Sequence, residues 1–212
     1  MILKVCGLRD KKNIEDICSL EIHMVGLNFY KPSSRYVHTF DGSTISQIPE
    51  SIQKVGVFVK EELDILQKKV ELFGLDYVQL HGDESESYCE SASRLAKVIK
   101  VCRIDQNFEF SEISTYGQSV EYFLFDTKTK HYGGSGKQFS WSILDNYQGS
   151  TPFLLSGGIG PNDYDSINQL NHKAFAGIDI NSQFETAPAI KSQSQIKRFI
   201  QKLKPINREI SS

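Results

Sequence analysis

Residues 122–136 read YFLFDTKTKHYGGSG, an apolar run that ends on a single carboxylate and gives way to a glycine-rich turn. Side chains alternate between the two faces of an extended strand, so Tyr122, Leu124 and Asp126 share one face. If Leu124 points into a core, Asp126 points into whatever opens at the end of that strand. Asp126 is therefore the first candidate for a chemical role. Gly133, Gly134 and Gly136 would let the backbone approach a ligand closely, with Ser135 supplying a hydroxyl. Taken alone, the stretch also fits an aspartate at the head of a helix followed by a surface loop.

The same unit, a short apolar run, a polar or glycine-bearing loop and a helical pattern, recurs along the chain. Apolar runs predict strands at 2–6, 24–29, 54–59, 77–81, 98–104, 122–126, 153–156 and 175–178. Helical spacing predicts helices over 11–20, 61–73, 84–95, 141–147, 162–170 and 188–203, with a short one near 44–48. The segment after the fifth strand, DQNFEFSEISTYGQ at 105–118, is a poor helix and is expected to form a short or irregular connection. Eight strands, nearly all separated by helical segments, predict an α/β fold: a single-domain (β/α)8 TIM barrel over residues 1–212. An open doubly wound sheet is the competing arrangement, because local patterns do not say whether the first strand meets the last. The tail at 207–212, NREISS, is expected to fray.

Composition narrows the function classes. A chain of 212 residues that is 39% hydrophobic can bury a substantial core. With 24 basic and 26 acidic residues, its formal net charge of -2 offers no argument for a nucleic-acid or membrane partner. MILKVCGLRD is too short an apolar run for a signal peptide, and nothing approaches the ~18 consecutive apolar residues of a membrane span. A cytoplasmic protein is expected. Cys6, Cys18, Cys89 and Cys102 form no Cys-x-x-Cys pair, and the five histidines do not join them at zinc-ligand spacing, so a structural metal site is not expected. Cys18 and Cys102 read as small core hydrophobes, and Cys89 as a helix residue.

In a barrel the chemistry gathers at the carboxyl ends of the strands. Cys6 ends the first, His81 the fourth, Asp126 the sixth and Asp179 the eighth. Alternation puts Lys4 with Cys6, Gln79 with His81, and Gly177 with Asp179. A lysine inside a barrel strand needs a carboxylate, and Asp179 on the neighbouring strand is the natural one. His81 and Gln79 also fit as satisfied core residues. Two loops have the look of an anion site: SGGIGPND at 156–163, after the seventh strand, and DINSQFE at 179–185, after the eighth. Backbone N–H groups around Gly157, Gly158, Asn181 and Ser182 would hold a phosphate there, although a glycine pair can also be no more than a tight turn.

Seven motifs carry a resemblance: KVCGLRD from Lys4, GLNFYKPSSRYV from Gly26, VGVFV from Val55, YVQLHGDE from Tyr77, FDTKTKHYGGSGKQFSW from Phe125, LSGGIGPND from Leu155 and GIDINSQFE from Gly177. In this order, and over essentially the whole chain, the sequence resembles the N-(5'-phosphoribosyl)anthranilate isomerases. The resemblance implies a small cofactor-free barrel of tryptophan biosynthesis that performs an Amadori rearrangement of an aminoaldose to an aminoketose. It implies Cys6 as general base, Asp126 as general acid, and Arg35 facing the anthranilate carboxylate of the substrate. It also places Gln79, His81 and Asp179 at the substrate. The implied partner is a small-molecule substrate, with a monomer or homodimer as the assembly. Ser34 stands where the family usually has proline, and Gln183 where glycine is often found.

The chemistry accounts for these residue types. Opening the ribose ring needs a proton on the leaving oxygen, and the Schiff base so formed acidifies the proton on C2', which a base can then take. The substrate nitrogen serves as electron sink. The two roles require a thiolate beside a protonated carboxyl group, the reverse of what reference values of about 8.5 for cysteine and 3.9 for aspartate provide. Lys4 would favour the thiolate, and desolvation by substrate would favour the protonated acid, so the active form is expected mainly in the complex. Three other readings stand beside this one. They are a sister isomerase of histidine biosynthesis that uses two aspartates, a Schiff-base aldolase acting through Lys100 or Lys128, and a phosphate-ligand binding barrel without turnover.

Overall fold

The computed structural model describes residues 1–38, 45, 48–128 and 138–204. Eight parallel strands close into a barrel in sequential order: β1 (Ile2–Cys6), β2 (Met24–Asn28), β3 (Gln53–Phe58), β4 (Tyr77–Leu80), β5 (Lys97–Ile104), β6 (Tyr122–Thr127), β7 (Phe153–Leu155) and β8 (Phe175–Ile180). The register Ile2↔Gly177 to Val5↔Ile180 joins the last strand to the first, which excludes the open sheet. Helices α1 (Lys11–Cys18), α2 (Leu63–Phe73), α3 (Glu86–Ser93), α4 (Tyr164–Gln169) and α5 (Gln193–Ile200) form the outer layer. No helix among the described residues is long and apolar enough to cross a membrane.

Strand alternation creates two apolar layers. Met24, Val55, Tyr77, Ile99, Val101, Leu124, Leu154 and Ala176 fill the barrel interior, and a larger cluster packs between the strands and helices. In β5, Ile99 and Val101 face inward, so Lys100 faces the outer layer; its ammonium reaches Gly82 O at 2.7 Å and Glu84 Oε2 at 2.9 Å. The helices dock through apolar stripes, as with Ile14 and Ile17 on α1 and Ile196 and Phe199 on α5, each worth about 1.5–3 kcal/mol when fully buried. Asp10 starts α1 by accepting from Asn13 N at 2.8 Å, which gives an acceptor to one of the N–H groups a helix start leaves unpaired.

The departures from expectation are local. The poor helix after β5 is a 3₁₀ segment, Phe110–Gln118. The helix expected at 141–147 is also 3₁₀, Trp141–Asn146, because a six-residue run of mainly weak helix formers is too short to nucleate an α-helix. The helix expected over 188–203 starts later. Its first part is instead the turn and second strand of an antiparallel hairpin of β9 (Glu185–Ala187) and β10 (Ile190–Lys191), turned through Ala189 at φ +68°. That positive φ cannot continue into a right-handed helix, so α5 begins only at Gln193. β8 runs two residues further than expected and carries Asp179 inside the strand. The short helix near 44–48 falls largely outside the described residues, and Gly133, Gly134, Ser135, Gly136 and the tail at 207–212 lie wholly outside them.

Candidate active site

Cys6 is the last residue of β1, buried, with Lys4 two residues earlier on the same face. The Lys4 side chain has no exposure and donates to Asp179 Oδ1 at 2.9 Å, across the β1–β8 register that pairs Lys4 with Asp179. Burial works against the Lys4 charge, but Asp179 and the Cys6 sulfur outweigh it and hold its pKa above the ordinary value. Burial also pushes the Asp179 carboxyl up; with an ammonium 2.9 Å away we take the pair as charged. For Cys6 burial is the largest influence and raises the thiol above its ordinary value, against the opposing pull of Lys4. Lys4 therefore acts in the expected direction without prevailing in the unliganded protein.

Asp126 lies near the end of β6, in line with inward-facing Leu124. Its Oδ1 accepts from Thr127 N at 2.8 Å, and its Oδ2 lies 3.3 Å from His81 Nε2. His81 follows β4 and remains anchored to β3 through its N–H to Phe58 O at 2.9 Å. Gln79 Nε2 stands 3.1 Å from His81 Nδ1. An amide N–H donating to Nδ1 puts the ring proton on Nε2, where it faces the carboxylate. Gln79, Nδ1, Nε2 and Asp126 thus form one directed chain of contacts at the mouth of the barrel.

Gly157 and Gly158 follow β7 with φ of +86° and +70°, a backbone region that glycine adopts readily. A Cβ at Gly157 would sit 2.3 Å from Thr127 Oγ1, so this position needs glycine for space as well as for its backbone angle. Asn181 and the 3₁₀ turn Ser182–Phe184 follow β8. Beside this turn Arg35, from the β2–β3 connection, donates from Nε to Glu185 Oε1 at 2.8 Å and from Nη2 to Oε2 at 2.6 Å.

The ten residues given catalytic, substrate-binding or phosphate-binding roles from the sequence, Cys6, Arg35, Gln79, His81, Asp126, Gly157, Gly158, Asp179, Asn181 and Ser182, line one cavity. Asn28, Tyr30, Ser33, Val57, Val59, Ser156 and Ile159 complete its wall, and sequence reasoning gave them no individual role. Lys100 is turned away from it, and Lys128 is an exposed partner of Asp105 at 2.6 Å, so neither aldolase lysine lines the cavity.

Residues 3–202 match the family described as N-(5'phosphoribosyl)anthranilate (PRA) isomerase. The chain belongs to this family. Among its PRA isomerase relatives, the N-(5'-phosphoribosyl)anthranilate isomerase of Parabacteroides distasonis is 43% identical over 208 residues, covering 96% of this chain and 93% of the relative. The crystal structure of phosphoribosyl anthranilate isomerase from Thermotoga maritima matches with a TM-score of 0.80 at 31% identity, covering 95% of this chain and 98% of that one. A PRA isomerase in complex with reduced 1-(o-carboxyphenylamino)-1-deoxyribulose 5-phosphate matches with a TM-score of 0.77 at 26% identity and the same coverage.

Proposed function

We propose that this chain catalyses the Amadori rearrangement of N-(5'-phosphoribosyl)anthranilate to 1-(2-carboxyphenylamino)-1-deoxyribulose 5-phosphate, in tryptophan biosynthesis. Residues 1–212 act as one barrel unit with a small-molecule substrate. The observation that carries the reading is the meeting, in one cavity of a PRA isomerase-family barrel, of the β1 thiol and the β6 carboxylate with the turns after β7 and β8 and an arginine. The four unpaired cysteines fit a reducing, cytoplasmic setting.

In this mechanism Asp126 protonates the ribose ring oxygen as the C1'–O bond breaks and the substrate nitrogen lone pair forms the Schiff base. Cys6 then removes the C2' proton, and the electron pair of that bond flows toward nitrogen to give the enolamine. Ketonisation moves a proton onto C1' and releases the one on the C2' hydroxyl. His81 holds the Asp126 carboxylate, and Gln79 sets the tautomer of His81. Arg35 receives the anthranilate carboxylate, while backbone N–H groups at Gly157, Gly158, Asn181 and Ser182 hold the phosphate. Asp179 holds Lys4 charged beneath Cys6 and faces the substrate.

The test is turnover by the purified protein, followed as loss of the fluorescence of N-(5'-phosphoribosyl)anthranilate. Enzyme-dependent loss with formation of the ketose product is expected; no loss with folded protein contradicts the proposal.

A further inference from the structure

Glu185 opens β9, and four donors meet its carboxylate. Oε1 accepts from Arg35 Nε at 2.8 Å, Lys191 Nζ at 2.5 Å and Ala189 N at 3.1 Å, and Oε2 accepts from Arg35 Nη2 at 2.6 Å. The side chain is only 7% exposed, and Lys191 beside it is wholly buried. Burial opposes the Glu185 charge, but the bonds from Arg35 and Lys191 bring its pKa below the ordinary value, so it is a carboxylate. Lys191 also reaches Asn181 Oδ1 at 2.7 Å, which ties this network to the loop after β8.

Two cations share one anion here, and the geometry decides which edge of Arg35 stays available. Glu185 takes the Nε/Nη2 side of the guanidinium fork. Three of the five N–H donors remain, two on Nη1 and one on Nη2, and this end of the fork matches a second carboxylate in the two-point mode. Arg35 lines the cavity, whereas Glu185 stands behind it. Gly7, directly after Cys6, makes the path: a Cβ there would lie 2.5 Å from Arg35 Cδ and 2.9 Å from Asn181 Oδ1.

We propose that Glu185 is a positioning residue for substrate recognition, which grips one edge of Arg35 so that the other edge meets the aryl carboxylate of the substrate. The proposal rests on the function proposed above. A glutamine at 185 has one acceptor oxygen and an NH₂ that repels Arg35, so the fork loses its fixed orientation.

The experiment measures kcat and KM for wild type and Glu185→Gln on two substrates, N-(5'-phosphoribosyl)anthranilate and the analogue lacking the carboxylate, N-(5'-phosphoribosyl)aniline. Expected is a KM for the full substrate raised about 10- to 100-fold, with kcat within about threefold and a change of less than about threefold on the analogue. Equal losses on both substrates would mean that Glu185 only braces the hairpin, and an unchanged KM would mean that it does not act through Arg35; either overturns the proposal. If Glu185→Gln does not fold, Glu185→Asp, which keeps the charge but withdraws it from the fork, is read by the same comparison. Absence of turnover by wild type would refute the proposed function instead, and product binding by wild type and variant, with and without the carboxylate, would then decide the role of Glu185 by the same criterion.

Discussion

Lys4 Nζ lies 2.9 Å from Asp179 Oδ1, in a pair whose side chains are 0% and 5% exposed, on the face of β1 that ends at Cys6. A buried ion pair contributes little net stability, because desolvating both charges offsets their attraction, but breaking it leaves one charge stranded.

Removing only the carboxylate, as Asp179→Ala, is therefore expected to destabilise the fold by about 3–5 kcal/mol. Lys4→Met with Asp179→Leu should recover most of that loss, since no buried charge is left. Urea unfolding midpoints of the two variants check this. Equal stability of Asp179→Ala and wild type would mean that Lys4 is neutral or hydrated in the native protein.

Cys6 in the unliganded protein is expected to be a thiol at neutral pH, since burial raises it above the ordinary thiol value. The sign follows from linkage. A raised folded pKa means that the fold favours the proton, so the contribution to stability is full below the ordinary value and is lost as pH rises through the folded one. The thiolate absorbance of wild type minus Cys6→Ser should be absent at pH 7 and appear only at alkaline pH. A thiolate present at pH 7 without substrate would show that Lys4 prevails over burial, and that the active protonation state exists before binding.

Gly157→Ala is expected to destabilise by about 1–3 kcal/mol, because its φ of +86° strains any Cβ-bearing residue. The new methyl would also press on Thr127, next to Asp126. The inhibition constant for inorganic phosphate should rise along with the lost stability. A variant that binds phosphate as tightly as wild type would remove this turn from the phosphate site.

The strands were legible because each carries its own signal. β1 spans the expected residues 2–6, and β6 exceeds its expected 122–126 by one residue. Alternation alone placed Asp126 in line with Leu124, which does fill the barrel interior. The β9–β10 hairpin was not legible. It is three residues against two, with no apolar alternation, and the apolar spacing beyond it read backward as one long helix. Glu185 went unassigned for a related reason: its partner Arg35 is 150 residues away, and nothing near either residue announces the pairing. Ser34, where a proline would stiffen the loop, has its carbonyl held by Arg9 Nη1 at 3.1 Å, and Ser33 Oγ accepts from Arg35 N at 3.1 Å. Side-chain bonds of this kind, absent from any local pattern, fix the loop that presents Arg35.

The account rests on Cys6 and Asp126 acting as base and acid, and the most direct test is kcat for Cys6→Ala and Asp126→Asn on N-(5'-phosphoribosyl)anthranilate, with folding verified for each. Each substitution is expected to lower kcat by about 10²–10⁴-fold while KM changes much less, as loss of a general base or acid requires. A folded variant of either kind that keeps kcat within a few-fold of wild type would contradict the role given to that residue.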